Sequence, residues 1–334
     1  MTITSQDVLR AAQKLQGVAV RTPLLTSAAF DGLVGRQVLL KAENQQLTGS
    51  FKFRGAYNAV GNLNESQRHR GVIGGSSGNH AQALALAARQ LHTKATVVIP
   101  GDAPAAKTDA IKALGARIIT YDRIREQRDA IVYETAHSKG LAIIPSSNHR
   151  SVIAGAGTVA WEMVQDAPRL AVILVPIGGG GLAAGTVLAA HAYNPRLKVI
   201  GVEPVTANDT HRSLRAGRAV LIPPPATIAD GLRHTRPESL PFEIIKSLIS
   251  DVITVPEGAI VDSMAYLWSH YHTAAEPSGA VALAALLHAP RSLPDGPVGV
   301  VVSGGNADWA EYRTLLDIAM ERKERNAHAI PVLR

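Results

Sequence analysis

Short runs rich in valine and isoleucine alternate with alanine-rich helical stretches along most of this chain, and that alternation leaves few folds open. Read as elements, it predicts strands over 71–75, 95–99, 116–120 and 141–144, with helices over 79–90, 104–114 and 123–138 between them. After the polar stretch 145–151 the rhythm restarts, with a helix over 156–165, a strand over 171–176, a helix over 182–191 and a strand over 197–202. A proline-rich loop at 223–225 leads to a strand over 251–255, helices over 257–270 and 277–288, a strand over 298–302 and a closing charged helix. Before the first run come an amphipathic helix over 5–15 stopped at Gly17, a strand over 37–42, and a helix from Lys52 to Asn62. Strands apolar on both faces, each followed by a helix, build parallel sheets covered by helices. The restart splits the chain into two such layers with a cleft between them. A length of 334 residues with 46% apolar content can bury two cores. The expected fold class is therefore α/β with two parallel-sheet domains, and ligands of such sheets sit at the carboxyl ends of the strands.

Four polar or glycine turns fall at those ends. The first is Thr48-Gly49-Ser50-Phe51-Lys52-Phe53-Arg54-Gly55-Ala56, in which a lysine stands between two phenylalanines. In a dry setting its ammonium pKa falls and the amine becomes a usable nucleophile and base; otherwise it is a lysine snorkelling past aromatic packing. The second, Ser76-Ser77-Gly78-Asn79-His80, opens a helix and reads either as a serine cap or as a nest of N–H groups for a carboxylate. The third, Gly178-Gly179-Gly180-Gly181, lets successive N–H groups converge on a dianion at a helix N-terminus. It also satisfies the dinucleotide pattern Gly178-x-Gly180-x-x-Ala183, with Glu203 placed as a ribose acid, so an NAD-dependent oxidoreductase is the rival reading. The fourth is Ser303-Gly304-Gly305-Asn306, either a cap or a cofactor contact. Lys52 and the Ser303 turn have no role in a dinucleotide scheme, whereas all four turns suit a phosphate-bearing cofactor held by a lysine.

Those turns, with Lys41-Ala42-Glu43-Asn44, the stretch Val152-Ile153-Ala154-Gly155-Ala156-Gly157-Thr158, and the runs GVEP, TIADGL and EPSGAVALAAL, resemble the fold-type II pyridoxal-phosphate enzymes. The group is that of threonine/serine dehydratases and serine racemases, with a tryptophan synthase β-like fold, and the matches span nearly the whole chain in order. The resemblance implies that 66–148 form a small domain inserted into a large cofactor-binding domain of 1–65 and 149–334. It implies pyridoxal 5'-phosphate on Lys52, its phosphate on Gly178, Gly179, Gly180 and Gly181, its ring hydroxyl on Asn79 and its pyridine nitrogen on Ser303. A neutral hydroxyl at that nitrogen makes the ring a weaker electron sink and favours elimination of a β-substituent. Ser76, Ser77, Gly78, Asn79 and His80 would hold the substrate carboxylate, and Ser77 would serve as acid/base opposite Lys52. Two carboxylates and a carbonyl, Glu203, Asp209 and Ala207, match the family's loop for Mg²⁺ or Ca²⁺. The implied reaction is α,β-elimination of L-serine or L-threonine to a 2-oxo acid and ammonia. Serine racemisation and 3-hydroxyaspartate dehydration are the alternatives on the same apparatus.

Departures from the family pattern bear on substrate choice. Ala156 stands where glutamine is usual, Ala42 replaces a common cysteine, and the loop 145–151 is one residue longer. About 28 residues follow Asn306, too few for the regulatory domain that some threonine dehydratases append. Arg123, Arg125, Arg128, His149 and Arg150 could bring positive charge to the substrate mouth, in which case a dicarboxylate would compete with serine; the alternative is solvated surface charge. The formal charge of +7 is scattered and aromatic residues are 4% of the chain, so no nucleic-acid partner is expected. No membrane span or secretion signal is read, and the absence of cysteine excludes disulfides and thiolate chemistry. A cytoplasmic homodimer acting on a small amino acid is the expectation.

Overall fold

The computed structural model describes residues 3–289 and 293–328. Its ten strands are β1 Leu24–Leu25, β2 Val38–Ala42, β3 Val72–Gly75, β4 Ala95–Pro100, β5 Arg117–Tyr121, β6 Ala142–Ile143, β7 Val172–Pro176, β8 Lys198–Pro204, β9 Asp251–Val255 and β10 Val298–Val302. They form a six-stranded sheet in the order β1-β2-β10-β7-β8-β9 and a four-stranded sheet in the order β5-β4-β3-β6. Every neighbouring pair is parallel except β1 with β2. β1 is the strand that the sequence rhythm does not show, because two residues carry no period.

The six-stranded sheet is buried on both faces. Leu40, Leu174, Val202 and Val300 face one apolar cluster, while Ile173, Val175, Val199 and Val301 face the other. This alternation along fully apolar strands is what parallel sheets with two helical covers require. All four strands of the smaller sheet lie between β2 and β7 in the chain. Its core also takes Phe53, Ala56 and Val60 from the helix Lys52–Gly61 and Val152 from the helix Arg150–Asp166. Lys52 thus opens a helix that is packed into the smaller unit while the turn before it is tied to the larger sheet.

That helix is fixed from behind by a buried charge network. The Arg54 guanidinium donates to both oxygens of Glu43, each at 2.8 Å, and to both oxygens of Glu162 at 2.7 and 2.9 Å. Lys41 Nζ donates to Glu162 at 2.6 Å and to the Thr22 carbonyl at 2.7 Å. Arg54, Glu43 and Lys41 are fully buried. Two cations against two carboxylates leave no net buried charge. Such a set contributes geometry more than stability, since burying four ions is itself costly. Close helix contact completes the junction: a Cβ on Gly157 would lie 2.7 Å from the Gly185 carbonyl, and one on Gly55 2.8 Å from the Val152 carbonyl. Ala156 is buried in the core of the larger unit.

Among the described residues no helix is long and apolar enough to cross a membrane.

Candidate active site

Strand order decides which turns meet. With β10 between β2 and β7, the Ser303 turn lies between the Lys52 turn and the tetraglycine loop. Backbone bonds seal the first two: the Phe51 N–H donates to the Ser303 carbonyl at 3.1 Å, and the Gly305 N–H donates to the Gly49 carbonyl at 2.9 Å. From the smaller sheet, Asn79 reaches across to this group. Its Nδ2 donates to Glu276 at 2.6 Å, and its Oδ1 accepts from Asn306 Nδ2 at 2.8 Å. The structure therefore brings all four turns to one cleft between the two sheets.

Lys52 is half-buried, with Nζ 4.9 Å from the centre of the Phe51 ring and donating to the Ser146 carbonyl at 3.0 Å. Burial lowers its pKa to about 8, partly opposed by the Glu276 carboxylate. Only one of its two flanking phenylalanines, Phe51, touches the amine. Phe53 turns into the core of the smaller unit and packs on Tyr57, 5.6 Å between ring centres.

The tetraglycine loop follows β7 and opens the helix Gly181–Tyr193. Gly180 has φ of +83°, a backbone that side chains strain to adopt. A Cβ on Gly179 would collide with Ser147 Oγ, and one on Gly181 would lie 3.1 Å from Ser147 Cα. Ser147 Oγ is itself buried without a hydrogen-bond partner. A buried hydroxyl left without a partner beside a loop of glycine N–H groups at a helix N-terminus fits a phosphate. The residues present thus suit the cofactor group that the sequence implies, and Ser147 is a contact that no motif singled out. Ser303, at the end of β10, is buried, and its hydroxyl reaches the Ser278 carbonyl only at 3.4 Å, leaving it available to a ring nitrogen.

Ser76, Ser77 and Gly78 form a half-buried turn before the helix Asn79–Gln90, and a Cβ on Gly78 would meet nothing within 4 Å. Open space therefore adjoins the turn at Gly78, where the first N–H groups of the helix have no intrahelical partner. His80 joins the turn through its backbone. Its imidazole is buried beneath, Nε2 lying 2.8 Å from the Ile144 carbonyl, and burial pushes its pKa down to about 4.

Of the five basic residues noted in the sequence, the structure brings Arg128 alone to this mouth. Arg128 begins the helix Arg128–Lys139, its Nε donates to Asp129 at 2.8 Å, and its stem lies over the last residue of β3: a Cβ on Gly75 would sit 2.9 Å from Arg128 Cδ. Arg123 pairs with Asp102, and Arg125 with Asp122, both in solvent. Arg150 grips both oxygens of Asp7 on the N-terminal helix, and His149 caps its own helix by accepting from the Ser151 N–H. Unforeseen lining residues complete the cleft. Glu276 is buried, with a pKa raised to about 7 by burial and by Asp230. His234 lies over Gly178 and Gly179.

Glu203, near the carboxyl end of β8, is fully buried, its two oxygens accepting from the Thr210 and His211 N–H groups at 3.0 and 2.8 Å. It caps the helix Asp209–Ala216 from a fully buried position, which does not suit the exposed acid that a dinucleotide site would need. Asp209 is also buried, and its Oδ2 has no partner. Burial and mutual repulsion push the Glu203 carboxyl up to about 8, and burial pushes Asp209 up to about 7. With Ala207 in the turn between them, this donor set suits a hard cation. Among the described residues no group of three or more acidic, histidine or cysteine side chains converges as a metal cluster, so a carbonyl and water would have to complete the shell.

Comparison with known proteins follows the same lines. The family model "Pyridoxal-phosphate dependent enzyme" matches residues 15–304. The chain is 44% identical to an L-threo-3-hydroxyaspartate ammonia-lyase of Pseudomonas sp over 310 residues, 93% of this chain and 97% of that protein. It is 40% identical to a serine racemase of Schizosaccharomyces pombe over 313 residues, 94% of this chain and 97% of that one. The crystal structure of serine racemase from Dictyostelium discoideum superposes with a TM-score of 0.88 at 38% identity, covering 92% of this chain and 100% of that one. A lysine at a glycine-flanked turn, a phosphate-shaped tetraglycine loop and a serine at the end of β10 thus coincide with kinship over nearly the whole length. The chain belongs to the fold-type II pyridoxal-phosphate dependent enzymes, in the family of serine/threonine dehydratases and serine racemases.

Proposed function

We propose that the protein is an ammonia-lyase that deaminates a β-hydroxy dicarboxylic amino acid, 3-hydroxyaspartate first. L-Serine and L-threonine, the substrates first expected from the sequence, become slower substrates, and serine racemisation becomes a side activity. The observation that carries this reading is Arg128 lying over Gly75, next to the turn that faces the α-carboxylate. Kinship with a protein named for 3-hydroxyaspartate supports it. A small monocarboxylic substrate offers such a cation no second carboxylate, leaving Asp129 as its partner.

Bound cofactor supplies a sink for the electrons left on Cα when its proton departs. The chain supplies the rest. Gly178, Gly179, Gly180, Gly181 and Ser147 hold the phosphate, Asn79 the ring hydroxyl and Ser303 the ring nitrogen. Ser76, Ser77 and Gly78 hold the α-carboxylate, with the N–H groups of Asn79 and His80. That grip turns the Cα–H bond toward Lys52, whose buried amine is neutral enough to take the proton. Loss of the β-hydroxyl as water, then addition of water to the product and loss of ammonium, leaves a 2-oxo dicarboxylate.

Arg128→Ala is expected to lower kcat/KM for 3-hydroxyaspartate by about tenfold to a hundredfold, the effect of losing a charged hydrogen bond. That for L-serine should stay within about threefold. Steady-state assays of 2-oxo acid release on both substrates check this, and equal losses on the two would overturn the dicarboxylate reading.

A divalent cation, Mg²⁺ or Ca²⁺, is the second part of the proposal, held by Glu203, Asp209 and the Ala207 carbonyl. The support is the buried, unpartnered Asp209 oxygen beside a second buried carboxylate. At a hundred times its dissociation constant such an ion stabilises the fold by about 2.7 kcal/mol. Melting curves of the holoenzyme in chelator and in excess Mg²⁺ or Ca²⁺ should therefore separate by several degrees, and Asp209→Asn should narrow the gap. Coincident curves would rule the ion out.

A further inference from the structure

His234 follows the tight turn Asp230–Leu232, its N–H donating to the Leu232 carbonyl at 2.8 Å. This brings the imidazole against the tetraglycine loop. A Cβ on Gly178 would lie 3.2 Å from His234 Cδ2, and one on Gly179 3.0 Å from Cε1. The two ring carbons that flank Nε2 therefore lie nearest these glycines, with Nδ1 further from them. The ring is half-buried, and neither nitrogen has a hydrogen-bond partner among the described residues. The charged groups that act on it are Lys52 and Arg128, one from each side of the cleft. With burial they hold its pKa at about 4, so the imidazole is neutral at ordinary pH. A neutral ring keeps one N–H donor without adding a third positive charge to the two already there.

We propose that His234 is a specificity-determining residue that donates its ring N–H to the distal carboxylate of a dicarboxylic substrate, on the opposite side from Arg128. The inference rests on the dicarboxylate reading above. An anion in the gap between Lys52 and Arg128 meets this ring, and a carboxylate has oxygens for two donors at once. The guanidinium supplies the charge and the imidazole fixes the direction. The alternative is that the ring is only a flat cover for the glycine loop, and the two roles call for different side chains.

His234→Phe keeps the flat cover and removes the N–H. The probe is succinate, a four-carbon dicarboxylate with neither amine nor β-hydroxyl, titrated into holoenzyme and followed by the absorbance of the bound cofactor. Butyrate is the monocarboxylate control. The expected result is a succinate dissociation constant raised about tenfold or more in His234→Phe, with butyrate unchanged. His234→Asn, which keeps a donor, should recover most of the loss. Should the phenylalanine variant not load cofactor, His234→Gln against His234→Met compares side chains of similar reach with and without the N–H. Wild-type affinity for succinate in the donor-less variants, with Arg128→Ala still impaired, overturns the role of His234 and leaves the dicarboxylate reading standing. A wild-type enzyme that binds succinate no better than butyrate overturns both.

Discussion

Lys52→Ala should leave a folded protein that carries no borohydride-stable cofactor and turns over neither 3-hydroxyaspartate nor serine. Loss of a positioned general base alone removes up to about 10⁴-fold in rate, and here the covalent anchor goes with it. The fold should survive, because the helix that Lys52 begins is held by Phe53 in the core and by Arg54 in its charge network. Wild-type apo protein gives a second reading of the same amine. Only the neutral amine attacks an aldehyde, and burial disfavours the ammonium, so the neutral fraction rises with pH, reaches half at about 8 and levels off about a unit above that. At pH 7 about one Lys52 in ten is neutral, against about one in three thousand for an ordinary lysine. Reloading of apo protein with pyridoxal phosphate should therefore accelerate through pH 8 and flatten about one pH unit above it. A rate still climbing at pH 10 would mean that burial does not lower the Lys52 pKa, and trapped cofactor in the alanine variant would mean that another group holds the cofactor.

Much of this machinery was legible in the sequence because strand–turn–helix units keep their chemistry local. The helices Ser5–Leu15, Asn79–Gln90 and Pro277–His288 and the strands Asp251–Val255 and Val298–Val302 lie where periodicity puts them. Elements without a period were missed. Ala28–Val34 is seven residues around a glycine, Ser239–Leu248 carries a proline in its first turn, and Asp209–Ala216 reads as a polar loop because its stability comes from the Glu203 cap. The helix Arg150–Asp166 begins six residues before its expected start at 156: Val152, Ile153 and Ala154 are already buried in it, but Gly155 and Gly157 interrupt the helical signal and the His149 cap lies before it. In the cleft, the glycines and serines of each turn could be read off one by one. Ser147, His234, Glu276 and the choice of Arg128 over Arg150 could not. Their neighbours are set by β10 lying between β2 and β7 and by the smaller sheet folding over that edge, and no local pattern encodes strand order.

Ser77→Ala should separate elimination from racemisation. Inverting a stereocentre needs a proton donor and an acceptor on opposite faces of Cα, whereas elimination from one enantiomer needs only one. Lys52 enters the cleft from the turn after β2, and Ser77 from the turn after β3 in the other sheet. The two therefore approach bound substrate from different walls. Ser77 is half-buried at an open turn. Its neighbour Ser76 is already used, accepting from the Gly78 N–H at 3.3 Å. A serine hydroxyl is a poor acid by itself and must be polarised by the cofactor beside it, so racemisation should be the slower branch in the wild type. In Ser77→Ala, conversion of L- to D-serine and any elimination from D-serine should fall by about a hundredfold or more, the scale of one general acid–base group. Elimination from L-serine and from 3-hydroxyaspartate should stay within about threefold, because the base on that face is untouched. Following D-serine and 2-oxo acid together in both proteins decides the matter. Racemisation that survives the substitution would make Ser77 a turn residue only and move the second proton to another group in the cleft.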